Sequence, residues 1–390
     1  MKNSKFLSFL MILASSLLFV QCTSDPIDIV GPAGADGIDG VDGIDGVDAN
    51  TASCVACHSN TFRAPIYAAY ETSFHSKGLT EGAVNYAGAR ESCARCHSNE
   101  GFVDFITKGF VNPGGYYGLS EPEVVLVTND NGTPDDDTDD FEEPLLDSRG
   151  EVVYSNNPEP FVTSVTCTTC HDTHKSFDFE NDGNDLALRA LDPVSLITDG
   201  TIIDYGDGSN TCINCHQPRR TFTNSSEVAG MFDVTSSHWG PHHGPQASLL
   251  EGIQGVLIAG SEPYPAVGTA QHRTGSTCVS CHMGETTDGT DGLHTWVPTE
   301  NACITCHQDG SPPKDFLAAD MATLEGLLLT AGILEIDAED GSIHPVRGTF
   351  PLRDAEAAWN YLTILEDASG GVHNPLYAKA LIKNSIESLQ

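Results

Sequence analysis

The sequence predicts a chain that is mostly coil with short helices and few strands, closed by an α-helical C-terminal part. Bound groups, rather than a large side-chain core, are expected to organise it. Three observations lead there. The pattern Cys-x-x-Cys-His occurs six times: Cys54-Cys57-His58, Cys93-Cys96-His97, Cys167-Cys170-His171, Cys212-Cys215-His216, Cys278-Cys281-His282 and Cys303-Cys306-His307. Successive copies start 39, 74, 45, 66 and 25 residues apart, too unevenly for a folded repeat. Between them Gly and Pro turn signals dominate, and apolar residues keep helical spacing mainly beyond residue 312.

Each copy is the attachment signature of c-type haem. Two thiols add to the haem vinyl groups, and the adjacent histidine takes one axial site on the iron. Tetrahedral zinc would need paired motifs or further spaced ligands, and asks for no histidine after every second cysteine. A disulfide framework leaves the six histidines unexplained. The twelve motif cysteines are therefore expected to hold six covalent haems in a stack. His58, His97, His171, His216, His282 and His307 are the expected proximal ligands.

From the start of the chain, Lys2 and Lys5 precede an apolar run from Phe6 to Val20, and Cys22 follows. This reads as an export signal over residues 1–21, too short for a membrane span. Cleavage before Cys22 and a lipid on its thiol are expected, giving an outer-membrane or cell-surface lipoprotein. Plain secretion to the periplasm is the alternative. Cys22 also accounts for the thirteenth cysteine, so none is left for a disulfide. Residues 31–48 place glycine at every third position, as collagen does, but with a single proline. A flexible stalk over residues 22–50 is the better reading. The formal charge of −37 excludes nucleic acid as a partner and gives an acidic, solvated exterior.

The haem region is read as residues 51–312. Its longest gap carries the acidic stretch from Asn129 to Asp140, with a weaker one from Asp178 to Asp185. Clustered carboxylates of this kind can hold Ca2+, although the spacing is not that of an EF-hand and solvated acidic runs are common. Residues 313–390 are expected to form helices that close the domain. The first, from Asp315 to Leu334, has Leu317, Met321, Leu324 and Leu328 on one face. The second, from Leu352 to Ala368, carries Ala355, Trp359 and Leu362 and stops at Gly370-Gly371. The third is capped by Asn374, with Pro375 in its first turn, and buries Ile382, Ile386 and Leu389. Without haem the chain is expected to be largely unfolded.

Nine further histidines could supply second axial ligands. Six are expected to do so: His75, His174, His242, His272, His294 and His373. His174 follows His171 by three residues and can reach a neighbouring haem, His272 lies six residues before Cys278, and His373 precedes a helix cap. His238, His243 and His344 remain candidates. Met231, Met283 and Met321 are the methionines beyond the signal, so iron closed by two histidines at low potential is favoured.

Several segments carry a family resemblance: Ser237-His238-Trp239-Gly240-Pro241-His242-His243-Gly244-Pro245-Gln246-Ala247, His272 ahead of Cys278-Val279-Ser280-Cys281-His282-Met283, Gly292-Leu293-His294-Thr295-Trp296, and Gly370-Gly371-Val372-His373-Asn374-Pro375. Together they resemble the outer-surface multihaem cytochromes of metal-respiring bacteria, some of which polymerise into conducting filaments. The resemblance covers most of the chain after residue 51, more thinly between Gly101 and Thr166. It implies closely stacked haems, ligation by two histidines, and electron transfer. The acidic insert and the glycine-triplet stalk depart from the family pattern.

The expected function is a non-enzymatic electron conduit of six closely packed haems at the cell surface. Other cytochromes, extracellular minerals or copies of the chain in a filament are the partners in view, with His238, His243 or His344 as the candidates to bridge copies. The alternative is a multihaem reductase of nitrite, hydroxylamine or a sulfur oxyanion, which needs one open iron. Ammonia-forming nitrite reductases place that iron in a motif ending in Lys, whereas all six motifs here end in His.

Overall fold

The computed structural model describes residues 57–76, 84–112, 115–116, 126–129, 141–145, 162–174, 186–223 and 229–390. All lie in the unit formed by residues 51–390. Cys22, Cys54, the signal and stalk segments, and the acidic stretches 130–140 and 178–185 fall outside the described residues.

Twelve α-helices and eight short strands are described. In chain order the first half contains α1 (Asn60–Thr72), α2 (Glu91–His97), α3 (Asn99–Lys108), β1 (Leu126–Asn129), β2 (Phe141–Pro144), α4 (Cys167–Cys170), β3 (Val194–Ser195), β4 (Ile202–Ile203) and α5 (Ser209–Ile213). The second half contains β5 (Met231–Val234), α6 (Gln246–Glu251), α7 (Gln271–Gly275), α8 (Cys278–His282), α9 (Glu300–Ile304), α10 (Ala318–Ala331), β6 (Leu334–Ile336), β7 (Ile343–Pro345), β8 (Gly348–Pro351), α11 (Leu352–Asp367) and α12 (Pro375–Leu389). The strands pair only in antiparallel twos, β1 with β2, β3 with β4, β5 with β8 and β6 with β7. Among the described residues there is no barrel, and no helix is long and apolar enough to cross a membrane.

Short helices carry the motifs because cysteines three residues apart share one face of a single helical turn. Polar residues ahead of the motif start these turns. The Thr277 hydroxyl accepts from Ser280 N, and that of Thr299 from Ala302 N. Where α2 meets α3, a Cβ on Gly101 would stand 2.3 Å from the Ala94 carbonyl, so glycine permits this close crossing.

The main apolar core is C-terminal. Leu324 and Leu328 of α10, Trp359, Tyr361 and Leu362 of α11, and Tyr377, Leu381 and Ile382 of α12 pack with Phe232, Val234, Trp239 and Leu249. Asn360, fully buried, holds the loop below by accepting from Val256 N at 2.7 Å and donating to Val256 O at 2.9 Å. A second, smaller cluster joins Val194, Leu196, Ile203, Ile213 and Ala247.

The C-terminal helices follow the sequence pattern with two corrections. The first was expected to reach Leu334 but stops at Ala331, because Gly332 takes the left-handed cap (φ 73°) and Leu334 starts β6 instead. The second does not need Gly370-Gly371 to stop, since Ala368 itself adopts the left-handed turn (φ 60°). The third is as read: Asn374 Oδ1 accepts from Tyr377 N, and Pro375 occupies the first turn. Leu389 is only partly buried.

Trp359 is 1% exposed and donates from Nε1 to Gln254 O at 2.9 Å. Trp359→Ala leaves a cavity beside Phe222 and Trp239. It is expected to lower stability by about 3–5 kcal/mol, read as a drop in thermal midpoint.

Candidate haem site

A continuous cavity of about 3330 Å3 runs through the fold. Single-ligand pockets hold about 300–1,000 Å3, so this space is several times larger than one ligand needs. All eleven described motif cysteines line it, as do the six motif histidines. His75, His174, His238, His242, His243, His272, His294 and His373 complete the histidine lining, and His344 stands outside it.

The histidines are not scattered. Each motif histidine faces one of the six expected second ligands. Ring centroids lie 6.2 Å apart for His58 and His174, 6.1 Å for His216 and His75, and 5.9 Å for His97 and His242. They lie 6.3 Å apart for His171 and His294, 6.2 Å for His307 and His272, and 6.3 Å for His282 and His373. Two imidazoles bound at roughly 2 Å on opposite sides of one metal have centroids roughly 6 Å apart. His238 instead faces His344, at 6.4 Å. His344 also sits with Asp337 and Asp340 at the β6–β7 turn, their ligand atoms within 4.8 Å of one another. His243 Nδ1 contacts the Glu366 carboxylate.

Several rings are fixed by Nδ1, which leaves Nε2 to face the cavity. His171 donates to Leu186 O (2.6 Å), His272 to Val372 O (2.5 Å) and His282 to Trp296 O (2.8 Å). His216 meets Gln246 Oε1 (3.2 Å), and His373 meets Asp367 Oδ1 (2.6 Å). These partners were invisible to sequence reading, because four of the five lie 14 to 100 residues from their histidine and three are backbone carbonyls.

Burial pushes the His75 imidazole down to about 4 and that of His242 down to about 3, the latter with help from Arg219. Both rings are neutral at pH 7, the form whose lone pair binds iron. Burial opposes charge on His373 too, but Asp367 outweighs it and raises that ring above its usual value.

The motifs also touch one another. His174, just past the third motif, faces His58 of the first. Asn99 Oδ1, just past the second, accepts from the hydroxyls of Thr166 (3.2 Å), Thr168 (3.2 Å) and Thr169 (2.8 Å) at the third. Cys96 Sγ lies 3.6 Å from Asn214 O, and Cys215 Sγ 3.8 Å from Arg95 O, joining the second motif to the fourth. Val279 N donates to Ser209 Oγ (3.1 Å) between the fifth and fourth, and Thr299 N to Cys281 O (2.9 Å) between the sixth and fifth.

No protein-family model matches this chain. It is 24% identical to the C-type polyheme cytochrome OmcC of Geobacter sulfurreducens, across 83% of this chain and 46% of that protein. The C-type polyheme cytochrome OmcB of the same organism is 26% identical, across 77% of this chain and 44% of its own. The chain is similar in sequence to these polyhaem c-type cytochromes. It spans about half the length of the curated relatives it matches. Among solved structures, the outer cell wall cytochrome OcwA aligns with 83% of this chain and 50% of its own, with a TM-score of 0.43 and 18% identity.

The residues present fit covalent haem. Paired sulfurs and paired imidazoles line one apolar-walled space. Among the described residues, six cationic side chains line it as well: Arg63, Arg90, Arg219, Arg220, Arg273 and Lys314. In a chain of net charge −37, that placement suits the acidic propionates of haem.

Proposed function

We propose that the chain holds six covalent c-type haems, each iron closed by two imidazoles, and passes electrons along them outside the cytoplasm. The observation that carries this reading is the pairing of every motif histidine with one non-motif histidine at 5.9–6.3 Å. Haem supplies one-electron chemistry at its iron. The protein supplies spacing, orientation and tuning. Cysteine thioethers fix each group in place, the Nδ1 partners hold the ligand rings, and the cavity walls keep water from the irons. Full ligation leaves no site for a substrate, so this reading is of a conduit rather than a reductase.

The contacts between motifs support a spatial order first–third–second–fourth–fifth–sixth. On this order the first and sixth haems are the termini of the path, where a donor and an acceptor would dock. We place the protein at the outer membrane or cell surface, held by lipid at Cys22, with redox proteins or oxidised minerals as extracellular acceptors. Self-assembly through a spare histidine would require His243 to leave Glu366 or His238 to turn from His344.

Intact mass of the mature holoprotein tests the count: six haem masses above the polypeptide are expected. Low-temperature electron paramagnetic resonance tests the ligation: six low-spin ferric irons are expected. Fewer haems, or a high-spin ferric signal in the native protein, would overturn the reading.

A further inference from the structure

We propose that Asp367 is the residue that sets one haem apart from the others, lowering the potential of the iron held by His282 and His373. This rests on the six-haem reading above. Among the twelve paired histidines, four of the five observed Nδ1 contacts end on neutral acceptors: the carbonyls of Leu186, Val372 and Trp296, and the Gln246 amide. The fifth ends on a carboxylate. His373 Nδ1 and Asp367 Oδ1 are 2.6 Å apart, and the Asp367 side chain is fully buried.

The position of this carboxylate is unfavourable on general grounds. Asp367 is the last residue of the 16-residue helix α11, where the helix dipole opposes negative charge. A buried carboxylate also loses hydration, which only hydrogen bonds can replace. Those bonds are provided. Oδ2 accepts from Ser369 N at 3.2 Å and from Ser369 Oγ, while Oδ1 takes His373. Gln246 Nε2 donates to the backbone oxygen of Asp367 at 3.2 Å and tethers the helix end. The neighbouring Glu366 carboxylate is turned to His243. A built, rigid anionic acceptor therefore stands behind one axial ligand.

Reduction adds one electron to that iron and leaves the His373–Asp367 hydrogen bond in place. A carboxylate behind a ligating imidazole makes the ring a stronger donor. The stronger donor and the nearby negative charge both favour the ferric over the ferrous state. The haem of the fifth motif thus becomes a low-potential step in the path. Asp367 touches neither iron nor porphyrin; it is a positioning and tuning residue.

The test is redox titration of the holoprotein followed by paramagnetic resonance, with haem content checked by mass. Asp367→Asn keeps the shape and removes the charge. One of the six low-spin components is expected to rise in potential, with a smaller rise at most in the adjacent haem ligated by His216. Ser369→Ala removes a donor to Oδ2, leaves more charge on Oδ1, and should move the same component the other way. Asp367→Glu should restore part of the native potential. A fully loaded Asp367→Asn protein whose titration overlays the native curve would overturn the proposal, as would equal shifts in all six components. Either result leaves the six-haem count and low-spin ligation standing, so the two readings fail separately.

Discussion

His272→Ala is expected to convert one of six low-spin irons to high spin while five keep their signals. The substitution removes the ring facing His307 at 6.2 Å and leaves the sixth motif intact, so six haem masses should persist. Loss of an imidazole donor destabilises the ferric state. Because axial ligation spans about 0.8 V across haem proteins, a rise on the order of 0.1 V at that one iron is expected. Electron paramagnetic resonance reads the spin state, and potentiometry reads the shift. The control is specific: His238→Ala and His344→Ala should leave all six irons low spin, since those rings face each other. A high-spin signal from either control would show that the pairing is wrong.

A chain in which all motif cysteines are replaced by alanine is expected to lose ordered structure from residue 57 to about residue 230. Its C-terminal helices should persist. The five-residue cluster of Val194, Leu196, Ile203, Ile213 and Ala247 is the smaller of the two apolar cores. Burial of such side chains contributes about 1.5–3 kcal/mol each, too little to order the long loops around them. By contrast, α10, α11 and α12 share a core centred on Trp359, Tyr361, Tyr377 and Leu381, none of which touches a motif cysteine in sequence or needs haem to be covered. Hydrogen exchange should show protected amides in residues 318–389 and almost none in the motif helices. Protection throughout the haem region without haem would contradict the view that porphyrin supplies its core.

The two regions were legible in the sequence to different degrees, for a physical reason. Motif chemistry is local: Cys-x-x-Cys-His fits within two helical turns, so attachment sites are readable without knowing the fold. The C-terminal stripe Leu317–Leu324–Leu328 is equally local, and only Gly332 and Ala368 altered the helix ends. Which imidazole would face which motif was another matter. His75 pairs with His216 and His97 with His242, more than a hundred residues apart, and nothing periodic encodes such a meeting. The candidate list followed from the scarcity of other ligands; which ring would stand opposite which did not. The same holds for Asp367, an ordinary helix-terminal carboxylate until His373 turns back toward it.

Five of the six imidazole pairs connect segments that are remote along the chain, from 91 residues for His282 and His373 to 145 for His97 and His242. With iron between them, these pairs are crosslinks, and they close overlapping loops in a protein whose described cysteines form no disulfide. Long closed loops restrict the unfolded chain most, as in oxidised secreted domains. Such a protein would owe its endurance to coordination bonds, which form and break with ligand exchange and are indifferent to thiol redox poise.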